Sequence, residues 1–548
     1  MDKDAKFAEE YTAKITEYLQ KGYARKLHPS EVQNNKNNWY RPHFGVANIN
    51  KPEKVQGRIA FGNDIRDMFH RVSIIEEDRC AQLFLWRGME RNQSPDVYEM
   101  KAMIFGAISS PSAAQFVKNK NAASFEDKYP GIVHAMEKQH YVDDYLDSCH
   151  TIDVAIDRIR NVIVVHKEAN FDMVKWISNS NEVMQSIPEN LRTNSQVDVK
   201  LDSKMLERVL GISWSPTTDD FVFILNMKKI PDEICHVEKV PTKRKVLRTV
   251  MSVFDPLGFL APLMMNDGIL IQNIWRSHID WDQITEELFY TWLKWLTQLK
   301  HYTPVTINRC YFPNSTLINK VDLHLFSNAS DKAYAAVAFL GMVENDEVHI
   351  SFLAAKFKVA PMIQQTIPKL ESQGAVLACR MAKSIRKELE YEIDKVYFWS
   401  DSMIVIHQIR SETTRFPIFV ACRLEKIHED SDLLQWHWLP SELNVADRAT
   451  KERKYIDLLP GGEWFSGPHF LKLPETDWPE EPRCSTEDNL ILLLDINDSL
   501  VLPMDFPNIS RFSKFNRLIR STAWILHFKK VVKITKLSRP TDLNVECR

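Results

Sequence analysis

The feature that most constrains this chain is a four-residue box, Tyr141-Val142-Asp143-Asp144. β-Formers flank the two adjacent acids, with Gln139-His140-Tyr141-Val142 before them and Tyr145-Leu146 after. Aspartate favours turns and disfavours strand interiors, so the segment predicts a strand–turn–strand over 138–148 with both carboxylates at its tip. A solvated Asp-Asp turn would explain the pair alone. Chemistry requires a further acid that can join the tip, and Asp64-Ile65-Arg66-Asp67-Met68-Phe69 offers one at a strand-to-helix boundary. Clustered carboxylates of this kind can hold two divalent cations about 3.5–4 Å apart for phosphoryl transfer.

Composition narrows the field. At 548 residues, 44% apolar and 26% charged, the chain has material for roughly three to four globular domains. Lys plus Arg is 70 against 73 Asp plus Glu, a net charge of −3, which excludes a uniformly basic coat protein but leaves room for a local basic groove. Only 15 glycines are present, so glycine-rich phosphate loops have little raw material. The 8 cysteines form no CxxC pair, the usage of a reducing compartment. The first 22 residues read as a charged amphipathic helix, unlike a secretory leader. The most apolar stretch, 254–271, is interrupted by Asp255, Pro256, Pro262, Asn266 and Asp267 and is unfit to cross a bilayer. The expectation is an intracellular protein, cytoplasmic or nuclear, with no membrane partner.

Residues 201–310 hold a strand pair with its turn at Pro216–Asp220, then helical segments rich in Leu, Ile and Trp. Residues 320–455 read as a compact α/β unit: VDLHLFS, YAAVAFL and EVHISFLAA as three strands, PKLESQGAVLACRMAKSIRKELE as a strong helix, then DKVYFWS and LLQWHWL as two more strands. Trp436, His437 and Trp438 on the last strand read as core and sheet-face residues. A second set of polar groups punctuates this unit. Asn328 ends the first strand, Glu371 lies on the helix, Asp401 ends the fourth strand, and Asp447 follows Asn444-Val445-Ala446. Each alone has an ordinary explanation, such as a solvated helix face or an N-cap. Beyond 455 the chain is Pro- and Trp-rich and then basic and amphipathic over 511–533.

The Asp64 segment, the Phe105-Gly106-Ala107-Ile108-Ser109-Ser110-Pro111 stretch and the YVDD box resemble the polymerase motifs of a reverse transcriptase. Trp39-Tyr40-Arg41-Pro42-His43, Phe69-His70-Arg71-Val72, Glu77-Asp78-Arg79, Phe84-Leu85-Trp86-Arg87, Leu210-Gly211-Ile212-Ser213-Trp214 and Val253-Phe254-Asp255-Pro256-Leu257-Gly258-Phe259 narrow this. Together they are similar to the polyprotein of BEL/Pao-type LTR retrotransposons, from about residue 35 to about residue 530. The α/β unit resembles the ribonuclease H fold.

The resemblance implies an α/β and α+β multidomain chain. Residues 1–56 would be an N-terminal helix with truncated fingers, 57–200 a palm remnant, and 201–319 a helical thumb and connection overlapping a Pao-type peptidase A17 region. Residues 320–455 would be an RNase H-like mixed five-stranded sheet with helices, and 456–548 an extension towards a missing integrase. Asp64, Asp143 and Asp144 would hold Mg²⁺ or Mn²⁺, with Phe69 under the nucleotide sugar. Glu371, Asp401 and Asp447 would hold the metals of the second site. Asn328 stands where the family has an acid, which removes a charge from a site that must concentrate cations. Implied partners are an RNA template, a DNA primer, an RNA–DNA hybrid and deoxynucleotides.

The expected function is a degenerate RNA-directed DNA polymerase fragment with weak or lost activity, since little chain separates 51–55 from Asp64 where the family has fingers strands. An aspartic peptidase is one alternative, but no DTG or DSG occurs and Asn266-Asp267-Gly268 is the nearest approach. A non-catalytic nucleic-acid-binding or scaffold protein derived from the element is the other. Nothing in the sequence sets an oligomeric state.

Overall fold

The computed structural model describes residues 5–28, 31, 57–88, 92–193, 207–209, 212–223, 240–253, 255–300, 302, 304–312, 320–344, 347–389, 391–411, 416–452, 458–459 and 461–482. The motif residues at 39–43, 210–211 and 254, and the basic run at 511–533, lie outside them. Ala5–Gln20 forms the expected N-terminal helix. Just beyond it, Lys21 pairs with Asp67 at 2.8 Å and the Tyr23 ring stacks on His70.

The YVDD box is a hairpin. β1 (Ile59–Ile65), β2 (His140–Tyr141), β3 (Asp144–Cys149) and β4 (Met173–Ser178) form an antiparallel sheet in the order β2-β3-β1-β4. Alternation along β3 buries Tyr145, Asp147 and Cys149. Buried Asp147 is satisfied by the Tyr145 hydroxyl at 2.7 Å and Arg158 at 3.0 Å. Helix α1 (Ile152–Glu168) covers this face with Ala155, Ile159, Val162 and Val165, and the Thr151 side chain accepts from the Val154 N–H to cap it.

The second sheet comprises β5 (Lys320–Ala329), β6 (Ala333–Glu344), β7 (Glu347–Val359), β8 (Lys395–Ser400) and β9 (Trp436–Trp438). Its order is β7-β6-β5-β8-β9, antiparallel from β7 to β5 and parallel from β5 to β9. The mixed five-stranded sheet expected from the sequence is therefore present. β6 is buried on both faces from Ala333 to Met342, so its residues run apolar without alternation. Helix α3 (Ile367–Glu388) covers one face through Leu370, Ala375, Ala378, Cys379 and Ala382. The other face meets helices from the preceding segment, among them α2 (Ala261–Arg276). Trp436 is buried and stacks on Phe398, and His437 lies 5.2 Å from Trp399 on the aromatic face.

The segment 255–260 fastens the two halves of this core. Both carboxylate oxygens of Asp255 accept backbone N–H groups, from Phe259 at 2.9 Å and Leu260 at 2.7 Å, and burial pushes its carboxyl up to about 6. Gly258 has φ +75°, and a Cβ there would lie 1.9 Å from the Ala355 carbonyl oxygen on β7. The Ala355 N–H donates to Leu257 at 2.8 Å. Phe259, fully buried, meets Phe223, Phe352 and Phe465, and its carbonyl accepts from the Trp464 indole at 2.8 Å. Arg309, only 2% exposed, forks onto Asp219 at 2.6 and 2.7 Å and donates to the Arg58 carbonyl at 3.1 Å, joining the start of the first sheet to the hairpin at 212–223.

Gly258→Ala should therefore lower unfolding stability by about 2–4 kcal/mol, from the left-handed backbone plus overlap with a backbone oxygen. The urea midpoint should fall with the slope unchanged. A variant as stable as the parent would show that the Leu257–Ala355 contact is not tight.

Two candidate acidic sites

The first site lies at the tip of the hairpin. Asp64 on β1 is the register partner of Asp144 on β3, and the Ile65 N–H donates to the Asp143 carbonyl at 2.9 Å. The three aspartates thus meet at one end of one sheet. Asp64 and Asp143 line an open cleft of about 570 Å³ with Arg66, Lys175 and Arg192; Asp144 does not line it. Lys175, on β4, forms an ion pair with Asp64 and also feels the charges of Asp144 and Asp143, which together hold its ammonium above its usual range. Burial raises the Asp143 carboxyl, and the Asp64 charge adds to the rise.

Backbone strain concentrates here. Asp67, Val142 and Lys175 all have left-handed φ, at 54°, 57° and 57°. For a β-branched residue such as Val142 this is a genuine outlier, and such outliers persist where surrounding structure over-determines them. Phe69, expected beneath a nucleotide sugar, is buried against Phe105 with ring centroids 4.5 Å apart. Met68 and Phe105 line the cleft instead.

The second site lies at the C-terminal ends of the parallel strands. Ser327 and Ser400 are register partners, so Asn328 and Asp401 each follow the last parallel pair of their strands. Gly374 lets α3 approach: a Cβ there would be 3.1 Å from the Asn328 carbonyl oxygen. The Asn328 amide donates to Asp447 at 2.9 Å and to Thr450 at 3.0 Å, and Lys451 pairs with the same Asp447 oxygen at 2.6 Å. Asp401 accepts from Asn444 at 3.0 Å and Ser441 at 2.6 Å, while Asn444 also donates to the Ser327 carbonyl. Glu371 accepts from Ser402 at 2.5 Å; burial raises its carboxyl to about 6, the neighbouring Asp401 charge adding to the rise. Asn328 is thus hydrogen-bonded to Asp447, Glu371 stands near enough to Asp401 to feel its charge, and the four lie at one end of the sheet. A cleft of about 300 Å³ beside it is lined by Asp447, Asn444 and Lys451 and by none of the other three.

The two sites suit a divalent cation differently. Among the described residues, no three His, Cys, Asp or Glu side chains stand close enough to form a ready-made metal site. The first site could still take a cation between Asp64 and Asp143 if Lys175 swung out of its exposed pair. The second does not fit one as it stands: Asp447 is held by an amide and an ammonium, Asp401 by two donors, and Glu371 is half-buried and takes the Ser402 hydroxyl. Sequence reasoning did not find Lys175, Ser441, Asn444 or Lys451 as site residues. Only Lys451 left a local signal, being four residues after Asp447; Lys175 reaches Asp64 across 111 residues. Asp267 of Asn266-Asp267-Gly268 lies inside α2, buried, with its carboxyl raised by burial, so this stretch does not form a peptidase-type loop.

An antiparallel sheet with aspartates at a hairpin tip, followed by an RNase H-like mixed sheet, defines the class of fold. Residues 242–402 match the family model described as Pao retrotransposon-like RNaseH-like domain, in agreement with the sequence resemblance. That description covers much of the region for which a Pao-type peptidase label was expected, and it reads RNaseH-like. Among curated proteins, none matches the chain. Solved structures similar to it include a foamy viral protease-reverse transcriptase in complex with dsDNA, at 15% identity and TM-score 0.44, covering 78% of this chain and 81% of that one. Another is the foamy viral enzyme in complex with RNA/DNA hybrid, at 13% identity and TM-score 0.46, covering 83% of this chain and 56% of that one. Among the described residues no helix is long and apolar enough to cross a membrane.

Two outcomes follow from the second site. Asn328→Asp should set a carboxylate against Asp447 and cost about 2–4 kcal/mol in metal-free buffer, with part of the loss recovered by millimolar Mg²⁺; thermal melts with and without Mg²⁺ read this. Equal melting of parent and variant in EDTA would mean that the two groups do not face each other. Glu371 has a folded pKa near 6, above an unfolded value of 4.5, so its contribution is fully present below pH 4.5 and is lost as pH rises through about 6. Glu371→Gln should therefore gain up to about 2 kcal/mol over the parent between pH 4 and pH 7.5, read by urea unfolding at both pH values. A pH-independent difference would place Glu371 in water.

Proposed function

We propose that the chain is a degenerate Pol fragment of a Pao-type retrotransposon. Its palm descends from an RNA-directed DNA polymerase, and its RNase H-like unit now serves as a nucleic-acid-binding scaffold. The observation that carries the polymerase reading is the pairing of Asp64 with Asp144 at the YVDD hairpin, beside an open cleft lined by Asp64 and Asp143. A divalent cation bound there would supply Lewis-acid chemistry for nucleotidyl transfer. The chain's own residues would present two carboxylates, one raised by burial and by its neighbour's charge, and Lys175, Arg66 and Arg192 would draw polyphosphate into the cleft. RNA template, DNA primer and deoxynucleotides are the partners this reading requires, with an RNA–DNA hybrid over the second unit.

The scaffold reading of that second unit rests on Asn328. Its amide and the Lys451 ammonium satisfy Asp447 without a metal ion. The division at 56, 200, 319 and 455 belongs to the same proposal.

Primer extension tests it. With Mg²⁺ or Mn²⁺, purified protein should extend a primer on an RNA template feebly, and Asp143→Asn should abolish the product. Lys175→Ala should tighten Mn²⁺ binding about three- to tenfold, read by electron paramagnetic resonance, because a competing cation is removed from the carboxylates. Processive synthesis would overturn the degenerate reading, and extension that survives Asp143→Asn would overturn the site.

A further inference from the structure

Helix α3 and helix α4 (Ile418–Asp430) pack side by side on the second sheet and leave a groove of about 260 Å³ between them and the start of β6 and end of β7. Four cations line it: Lys358, Arg380, Arg423 and Lys426. Tyr334, the register partner of Lys358, and Cys422 also line it, and no acidic side chain does. Among the described residues, no acid stands within ion-pair distance of any of the four. Arg423 is oriented by the Phe419 ring, with its guanidinium carbon 3.5 Å from the ring centroid, and by the Phe419 carbonyl at 3.1 Å. The Lys369 ammonium lies 5.8 Å from the centroid of the same ring. The Tyr334 hydroxyl feels both Arg380 and Arg423.

Four like charges around one small groove repel one another, and an anion relieves that repulsion. Two guanidinium groups, one held in a fixed orientation, suit the oxygens of a phosphate. Tyr334 is opposite Ala329, one residue beyond Asn328, and Arg380 lies nine residues along α3 from Glu371, a rise of about 14 Å. Nine residues also put Arg380 half a turn round α3 from Glu371, so the groove lies on the flank of the helix away from the Asn328–Glu371 neighbourhood.

We propose that this groove binds the phosphodiester backbone of a nucleic-acid strand, without reading its sequence, and anchors the RNase H-like unit on a strand that its acidic cluster does not cut. The proposal rests on the nucleic-acid reading above but needs no catalytic activity. Loss of cutting then leaves a binding module whose grip comes from charge and is salt-dependent.

The groove contains its own reporter, because Cys422 is an exposed free cysteine. The test follows maleimide alkylation of Cys422 by peptide mass spectrometry on the full chain, free, with a 20-nucleotide RNA–DNA hybrid, and with inorganic pyrophosphate. Fluorescence anisotropy measures hybrid affinity for the parent and for the double variant Arg380→Glu, Lys426→Glu, both exposed positions. The hybrid should slow Cys422 alkylation at least fivefold. The double variant should bind at least tenfold more weakly, with a shallower slope of log affinity on log salt by about 1.5, two phosphate contacts having gone. Tight binding by the parent with Cys422 still reactive and the double variant unaffected would overturn the groove and leave the nucleic-acid reading standing. No hybrid binding by the parent would overturn both. Protection of Cys422 by pyrophosphate but not by the hybrid would overturn the strand in favour of a free polyphosphate.

Discussion

The structure depends on the fit of a single turn against a strand. Gly258 brings the backbone of 257–258 against Ala355, and no other residue has room there. Asp255 fixes that turn by taking two backbone N–H groups, and Phe259 then enters a core shared by the hairpin at 212–223, α2, β7 and the turn at Glu463–Ser466. A carboxylate buried for this purpose costs desolvation, which is why its proton affinity rises, and two amide donors offset the cost. Because β6 is buried on both faces from Ala333 to Met342, the sheet requires this second cover. The RNase H-like unit is consequently built together with the helices that precede it, in keeping with a family match that begins at residue 242.

The two acidic sites solve one electrostatic problem in related ways. Neighbouring carboxylates repel, and each set has recruited a lysine: Lys175 to Asp64, Lys451 to Asp447. At the hairpin the lysine is an exposed pair beside an open cleft, weakly held and displaceable. At the second site an asparagine amide, a threonine and two further donors complete the satisfaction of the acids, and nothing is left wanting a cation. The difference lies at Asn328, whose amide donates a hydrogen bond to Asp447 where a carboxylate would repel it.

Much of this was legible in the sequence. Alternation in 321–327, helical periodicity in 368–390 and the polar turn at 216–220 are local signals, and they appear as the strand Lys320–Ala329, the helix Ile367–Glu388 and the hairpin at 212–223. The aspartates at 64, 143 and 144 were legible because turn chemistry and strand pattern place them at strand ends. Phe69 was less so: whether an aromatic lines a cleft or fills a core depends on what packs over it, and here Phe105 does.

The sequence by itself determined the strands and long helix of the five-stranded sheet, the hairpin at the YVDD box and which acids stand at strand ends, because periodicity and turn preference act over a few residues. Only the tertiary structure decided what those acids touch. Lys175 meets Asp64 across 111 residues, Asn328 meets Asp447 across 119, and Lys358 joins Arg380 and Lys426 around one groove. Coulomb forces and hydrogen bonds act through space, so the state of a charged group is set by neighbours that the order of residues along the chain does not reveal.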